Sequence, residues 1–338
     1  MSRTLAILGA TGLVGRTMLA ILEQRRFPAE RVRLLASPHG AGRTLEFRGQ
    51  SLTVDPVGPE SFIGVDIALF AVKNTVAQQW APVARTAGAI VIDNSSAYRY
   101  DPGVPLIVPE VNGALLDARP TLVANPNCSA APLVMALGAL RGMAKLERLI
   151  VATYQSVSGA GSEALVELDH GVRAGLEGRP PQREGGLPPF AFNCIPHIDR
   201  FEDNGYTREE MKVVWEVRKI LDMPALPVTV TAVRVPVRVG HSAAVHAIFD
   251  APIAPEAARA RWAASPGIEV VDDPAAARYP MPLDVEGRDP VSIGRVRRDL
   301  AEPNGLAFFV VSDNLRKGAA LNAVQIAERW LDAPAVVR

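Results

Sequence analysis

A short apolar run, Leu5-Ala6-Ile7-Leu8, meets a turn with evenly spaced glycines, Gly9-Ala10-Thr11-Gly12-Leu13-Val14-Gly15, and a helical pattern follows. Strand, glycine turn and helix in that order begin a β-α-β unit of the kind that closes around a dinucleotide. Gly9 permits the tight turn, Gly12 lets a pyrophosphate approach the backbone, and Gly15 lets the helix pack close to the strand. The first N–H groups of the helix have no partner within it and are donors for phosphate. The spacing is GxxGxxG rather than GxGxxG.

The next hundred residues repeat the strand-helix alternation. Apolar runs at Leu5–Leu8, Val32–Ala36, Ile67–Val72, Ala89–Ile92, Leu106–Val108 and Leu122–Ala124 predict strands, and Val14–Arg25 and Val76–Ala87 predict helices between them. That pattern predicts a parallel sheet with crossover helices. Beyond about residue 140 the character changes. Long alternating runs at Leu149–Ser156, Val228–Val239 and Ala243–Phe249 predict a sheet of antiparallel character with one face covered. Gly178 to Pro189 predicts an irregular loop. Arg208–Leu221 predicts a helix with Met211, Val214, Trp215 and Ile220 inward. Leu306–Val311 predicts a strand and Ala319–Leu331 a helix.

The end of the second strand bears on cofactor choice. NAD sites of this kind place Asp or Glu there for the ribose 2′-hydroxyl. Here the strand runs into Ser37-Pro38-His39-Gly40-Ala41-Gly42-Arg43 with no acid. Ser37, His39 and Arg43 suit a 2′-phosphate instead, which favours NADP.

Three further passages carry chemistry. In Asn125-Pro126-Asn127-Cys128-Ser129 a cysteine stands between an apolar strand and a helical pattern. A helix N-terminus stabilises a thiolate, the nucleophilic form of cysteine, whereas a buried core thiol is inert. In Tyr154-Gln155-Ser156-Val157-Ser158-Gly159-Ala160-Gly161 a strand enters a turn of small residues, where backbone can lie against a ligand. In Arg234-Val235-Pro236-Val237-Arg238-Val239-Gly240-His241 the extended pattern puts Arg234 and Arg238 on one face and His241 past the strand end. An arginine fork holds a carboxylate, and a histidine moves protons near neutral pH. Spacing leaves open whether His241 reaches Cys128.

The bulk properties narrow the class. With 338 residues the chain suits two domains. Lys+Arg and Asp+Glu are both 36, so no charge excess advertises nucleic acid or a membrane surface. Two cysteines, Cys128 and Cys194, stand far apart and in no metal-ligand spacing, which fits a reducing compartment. With neither a signal-peptide pattern after Met1 nor a membrane-length apolar run, the expectation is a cytoplasmic enzyme without nucleic-acid or membrane partners.

Together the passages GATGLVG at 9–15, NPNCS at 125–129, RVPVRVGHS at 234–242 and VSDNLRKGAALNAVQIAE at 311–328 resemble the aspartate-semialdehyde dehydrogenase family over nearly the whole chain. The resemblance implies an α/β protein. A Rossmann-type doubly wound NADP-binding domain would span 1–128 and 314–338. An α+β catalytic and dimerisation domain with a mixed sheet would span 129–313, with the active site at the junction. The activity implied is NADPH-dependent reductive dephosphorylation of L-aspartyl 4-phosphate to L-aspartate 4-semialdehyde, in biosynthesis of lysine and diaminopimelate, threonine, methionine and isoleucine. It also implies residue roles. Cys128 is the acyl-thioester nucleophile, His241 the acid/base, and Gln155 orients the intermediate. Arg234 clamps the α-carboxylate and Glu209 meets the amine. Arg99 and Lys212 hold phosphate, with Asn127 near them. Gly9, Thr11, Gly12, Leu13, Val14, Gly15, Ser37, His39, Thr75, Ser158, Gly159 and Asn314 contact cofactor. No metal is implied, and the chain is expected as a homodimer or homotetramer.

Three positions depart from the family pattern. His39 stands where arginine is common. Ala71-Val72-Lys73-Asn74 replaces a Ser-Ala-Gly-Gly run, and Ala130-Ala131-Pro132 replaces Ser-Thr-Ile-Gln. The first two bear on cofactor affinity and on the strictness of NADP over NAD. Two other readings stand beside this one. The related N-acetyl-glutamyl-phosphate reductases carry glycine before the cysteine and tyrosine after it, where this chain has Asn127 and Ser129. A silent regulatory paralogue would have lost the nucleophile, the histidine or the clamp, and all three are here.

Overall fold

The computed structural model describes residues 3–333. The chain divides into two compact units. One takes in the chain through Asn127 and the segment from Ala319; the other runs from Cys128 to Gly318. Met1, Ser2 and residues 334–338 lie outside the described residues, so the expected domain limits at those ends fall there.

The first unit is built on a seven-stranded sheet. Its strands are β1 (Thr4–Leu8), β2 (Arg31–Ala36), β3 (Thr44–Phe47), β4 (Gln50–Pro56), β5 (Ile67–Phe70), β6 (Ile90–Asp93) and β7 (Leu122–Ala124), in the order β3-β4-β2-β1-β5-β6-β7. β1, β5, β6 and β7 are buried along their whole length, as strands covered on both faces by helices must be. β1 pairs in parallel with β2 on one side and β5 on the other. The strand order therefore reverses at β1, and the ends of strands beside such a reversal are where open α/β sheets bind ligands. Helices Leu13–Gln24 and Leu321–Asp332 bury Met18, Ile21, Leu22, Leu321, Val324 and Ile326 in the core over the sheet.

Two sequence readings are corrected here. The sheet is not wholly parallel, because β3 and β4 form an antiparallel hairpin at its edge. That hairpin follows the left-handed Gly42 and turns at Arg48-Gly49, where both residues have positive φ. Its strands are mostly exposed and so lack the strong apolar runs of the interior ones. Leu106–Val108 does not make a strand either. It contributes one isolated parallel bridge, Leu106 to Ala124, before Pro109 opens a short helix.

The second unit holds a six-stranded mixed sheet. Its strands are β8 (Leu146–Gln155), β9 (Val228–Arg234), β10 (His241–Phe249), β11 (Ile268–Val270), β12 (Val291–Arg298) and β13 (Gly305–Ser312), in the order β11-β12-β13-β10-β8-β9. β8 pairs in parallel with β9 and antiparallel with β10. The expected long strand Val228–Val239 stops at Arg234. Pro236 has no N–H for a ladder, and the next carbonyls turn aside: Val237 and Arg238 accept the backbone N–H groups of Val157 and Ser158 at 2.8 and 3.0 Å. Arg234 and Arg238 consequently share no strand face. Arg234 is buried, whereas Arg238 pairs at the surface with Asp169. His241 does not lie past a strand end but opens β10, opposite Ser312 of β13.

Helix Arg208–Ile220 is set firmly against β9. Its N-cap Thr207 and third residue Glu210 form a capping box, and Glu210 Oε1 also accepts the Ala232 N–H at 2.9 Å. The buried apolar residues are Val213, Val214, Val217 and Ile220, while Met211 and Trp215, expected inward, are half-buried. The chain rejoins the first unit at Ala319 rather than near 314. Asp313 and Asn314 are tied instead within the second unit, to the Gly287 and Gly240 N–H groups.

Candidate active site

In the first unit, the glycine turn after β1 is shaped by what a side chain would do to it. Gly9 has φ +91°, and a Cβ there would lie 2.3 Å from the Ala71 carbonyl oxygen. A Cβ on Gly15 would lie 2.2 Å from the Gly9 carbonyl oxygen. Gly12 is exposed and nothing crowds it, so a phosphate can meet bare backbone there. The turn is anchored by the Gly9 and Ala10 N–H groups donating to Leu35 O. The loop after β2 folds back over it: a Cβ on Gly40 would come 3.1 Å from Thr11 Oγ1. Ser37 and His39 are exposed on that loop, Thr75 is exposed at the start of helix Asn74–Thr86, and Leu13 and Val14 are half-buried. These residues fit a dinucleotide phosphate at a backbone cradle.

Beyond β5 and β6 the same unit carries a polar lattice of whose members the sequence named only Arg99 as a site residue. Asn74, in the departing Ala71-Val72-Lys73-Asn74 stretch, donates to Ser96 Oγ at 2.9 Å and accepts the Ser96 N–H at 3.0 Å. Asn125 donates to Asn94 Oδ1 at 2.8 Å and accepts from Asn322 at 2.7 Å. Arg99 is buried and donates to the Asn94 carbonyl at 2.6 Å. Asp93, buried with Ser95 on its carboxylate, has its pKa raised by burial against the lowering effect of Ser95 and Arg99. Asn127 is buried at the end of this unit.

The second unit assembles the site candidates from five distant stretches. Cys128 stands just before the buried helix Ala130–Ala139, whose N-cap is Ser129. A Cβ on Gly318 would come 2.9 Å from Cys128 Cβ, so the glycine of the VSDNLRKG passage is needed to let Cys128 in. Cys128 and Cys194 form no disulfide. Gln155 and Arg234 are direct partners at the ends of β8 and β9. Arg234 Nη1 donates to the Ser156 carbonyl at 2.6 Å. A Cβ placed on Gly159 would be 3.1 Å from both Arg234 Nη1 and His241 Nε2, so these two side chains converge on one glycine. Burial lowers the Arg234 pKa, while the negative charges of Cys128 and Glu209 act the other way, which places all three within electrostatic reach. Arginine stays cationic all the same.

Glu209 is shared. Its Oε1 accepts from Gln155 Nε2 at 3.2 Å and its Oε2 from Lys212 Nζ at 3.1 Å, one helical turn on. Lys212 also reaches Asp199 at 2.7 Å. Burial works against the Lys212 charge, but Glu209 and Asp199 outweigh it and raise the pKa above the usual lysine value. His241 is wholly enclosed. Burial first, then the Arg234 charge, hold its pKa well below the usual imidazole value, so the ring is neutral at pH 7. Asn314 lies in the same buried group, accepting from Gly240 N at 2.9 Å and donating to Ser158 Oγ at 2.9 Å. Of the residues named from sequence, the second unit thus brings together Cys128, Gln155, Arg234, His241, Glu209, Lys212, Ser158, Gly159 and Asn314. Arg99, Asn127 and the remaining cofactor residues belong to the first. Ser156 was missed as a site residue, because nothing in a serine's sequence context marks it as the partner of a histidine on the adjoining strand. Among the described residues no group of three or more His, Cys, Asp or Glu side chains is placed to hold a metal ion, and no helix is long and apolar enough to cross a membrane.

Known proteins match the chain over nearly its whole length. Residues 4–118 match the semialdehyde dehydrogenase NAD binding domain, and 137–317 the semialdehyde dehydrogenase dimerisation domain. The aspartate-semialdehyde dehydrogenase of Bacillus subtilis is 48% identical over 331 residues, covering 96% of each chain. That of Aquifex aeolicus is 46% identical over 332 residues, covering 97% of this chain and 98% of its own. The chain belongs to the aspartate-semialdehyde dehydrogenase family. Among solved members, aspartate semialdehyde dehydrogenase II from Vibrio cholerae superposes with a TM-score of 0.95 at 44% identity, covering 98% of this chain and 99% of its own. The same enzyme complexed with ASA gives a TM-score of 0.94.

Proposed function

We propose that the chain catalyses NADPH-dependent reductive dephosphorylation of L-aspartyl 4-phosphate to L-aspartate 4-semialdehyde, a step toward lysine, threonine, methionine and isoleucine. The observation that carries the reading is the convergence of Arg234 and His241 on Gly159, with Arg234 in electrostatic reach of Cys128. The substrate has a carboxylate at one end and an acyl phosphate at the other. A buried guanidinium suits the first. A thiolate stabilised by adjacent positive charge suits attack on the second.

Cys128 attacks the acyl carbon. Phosphate leaves with the electron pair of the broken C–O bond, and a thioester remains on sulfur. Arg234 holds the α-carboxylate, Glu209 the ammonium, and Gln155 orients the acyl group, so that the reacting carbon is fixed beside sulfur. His241 serves the carbonyl oxygen as charge develops on it. Lys212 and Arg99 take the phosphate, with Asn127 beside it. Gly9, Thr11, Gly12, Leu13, Val14, Gly15, Ser37, His39 and Thr75 would hold NADPH, with Ser158, Gly159 and Asn314 toward its nicotinamide end; when bound, the cofactor would supply a hydride. Hydride addition to the thioester carbon leaves a tetrahedral alkoxide, whose electron pair re-forms C=O as the C–S bond breaks, releasing the aldehyde and restoring the Cys128 thiolate. We also propose a homodimer, supported by the dimerisation-domain match, in the cytoplasm, supported by two thiols that form no disulfide.

The test is oxidation of aspartate semialdehyde, followed as reduction of NADP and of NAD with and without phosphate. Turnover should require phosphate, or arsenate in its place, and kcat/KM should favour NADP. No phosphate-dependent turnover would sink the activity; equal kcat/KM for the two cofactors would remove the 2′-phosphate role of Ser37 and His39.

A further inference from the structure

Behind His241 runs a buried chain of hydrogen bonds in which the scheme above gives Ser156 no role. It begins at the backbone. The Gly240 N–H donates to Asn314 Oδ1 at 2.9 Å. A backbone N–H only donates, so this bond fixes which way the Asn314 amide faces. Its Nδ2 then donates to Ser158 Oγ at 2.9 Å. Ser158 Oγ lies 3.1 Å from Ser156 Oγ, and Ser156 Oγ lies 3.0 Å from His241 Nδ1. The two hydroxyls can also turn to Asn314 Oδ1, at 3.2 and 3.0 Å. With the hydroxyls pointed along the chain, every link donates toward the ring: amide to Ser158, Ser158 to Ser156, Ser156 to Nδ1.

A second bond settles the ring itself. The Ser156 N–H donates to His241 Nδ1 at 3.1 Å. Since this donor cannot accept, Nδ1 must present its lone pair. A neutral imidazole then carries its one proton on Nε2. Nε2 is buried and has no hydrogen-bond partner in the structure, and it lies 3.1 Å from where a Gly159 Cβ would be. A buried N–H left without a partner costs free energy unless something arrives to accept it. The low pKa of the ring is consistent with this state.

We propose that His241 acts as a neutral Nε2–H donor to the substrate's carbonyl oxygen, and that Ser156, backed by Ser158 and Asn314, is the positioning residue that fixes this tautomer. The proposal rests on the functional reading above and narrows it. When the Cys128 thiolate adds to the acyl carbon, the C=O π pair moves onto oxygen and Nε2–H hydrogen-bonds the oxyanion. When the C–O bond to phosphate breaks, phosphate departs with that bond's electrons and the oxyanion pair re-forms C=O. The proton stays on Nε2 throughout, so no imidazolium is needed.

The tautomer can be read directly. The chain has five histidines; protein labelled with 15N in histidine gives long-range 1H–15N correlations, and the His241 set is the one missing from His241→Gln. At neutral pH Nε2 should be the proton-bearing nitrogen, with Nδ1 of lone-pair type and shielded by its donors. In Ser156→Ala the Nδ1 resonance should move toward its position without a hydroxyl donor. In the same variant kcat should fall about tenfold, the scale of one hydrogen bond, with KM for the semialdehyde within about twofold. Ser158→Ala should move both observables the same way by less. A proton on Nδ1, or an imidazolium at neutral pH, overturns the proposal; Ser156→Ala and Ser158→Ala proteins with wild-type kcat and an unmoved Nδ1 overturn the positioning role. The spectrum needs no turnover, so an enzyme inactive toward aspartate semialdehyde would refute the functional reading while the tautomer is still measured.

Discussion

The two units build their sites by opposite means. In the first, the cradle after β1 exists because side chains are missing: Cβ atoms on Gly9 or Gly15 would sit inside backbone. In the second, the site consists of side chains that crowd together, with Arg234, His241 and Glu209 buried and bonded to one another's neighbours. A site of the first kind is spoiled by adding a methyl group. A site of the second kind is spoiled by removing or reshaping a functional group, with the backbone left in place.

Four experiments break or sharpen that contrast. The largest effect is expected at Cys128. Cys128→Ser should lower kcat by about 1000-fold or more, since an alcohol lacks the thiolate's nucleophilicity, and should leave the thermal unfolding curve unchanged; full activity in the variant would take Cys128 out of the mechanism. Gly9→Ala should do the reverse. With φ +91° and a 2.3 Å clash, it should destabilise the first unit by about 2 to 4 kcal/mol, measured by denaturant unfolding, and weaken NADP binding. An unshifted midpoint would mean the turn tolerates a side chain. Arg234→Lys keeps the charge and loses the fork. It should raise KM for the semialdehyde about tenfold, and an unchanged KM would refute the clamp.

The smallest effect is a pH slope. Folding holds His241 below its unfolded pKa of about 6.5. Between the two values the unfolded chain binds the extra proton, so stability rises with pH across that window. Above about 6.5 both states are neutral and the contribution vanishes. His241→Gln should remove up to about 1.4 kcal/mol of this dependence per pH unit. Identical acid limbs for variant and wild type would show that the ring is not held neutral.

The same contrast explains what could be read beforehand. The cradle is written in seven consecutive residues, and its strand, turn and helix are local, so the pattern and the structure coincide there. The candidate catalytic group is written in stretches far apart in sequence that meet only through strand pairing and helix packing. The residue types and the family register picked out Cys128, Gln155, Arg234 and His241. The alternating pattern, however, carried β9 through Val239, because Val237 and Val239 look like strand residues. What ends the strand is Pro236 together with the carbonyls of Val237 and Arg238 turning to Val157 and Ser158, and that partnership lies eighty residues away in sequence. Ser156 was invisible for the same reason. The β3–β4 hairpin was missed because exposed edge strands have little hydrophobic pattern to show.

Ser156 has a consequence for anyone wishing to retune this enzyme. Its carbonyl holds Arg234, while its N–H and hydroxyl hold His241. The group proposed to hold the carboxylate and the group proposed to serve the reacting oxygen therefore hang from one residue like two arms of a yoke. A redesign that shifts Arg234 to admit a longer or shorter diacid would drag on that peptide unit and tilt the imidazole with it. Substrate range and turnover should prove hard to change separately, and variants selected for a new substrate should regain speed through second changes around residues 156–159 rather than at the arginine.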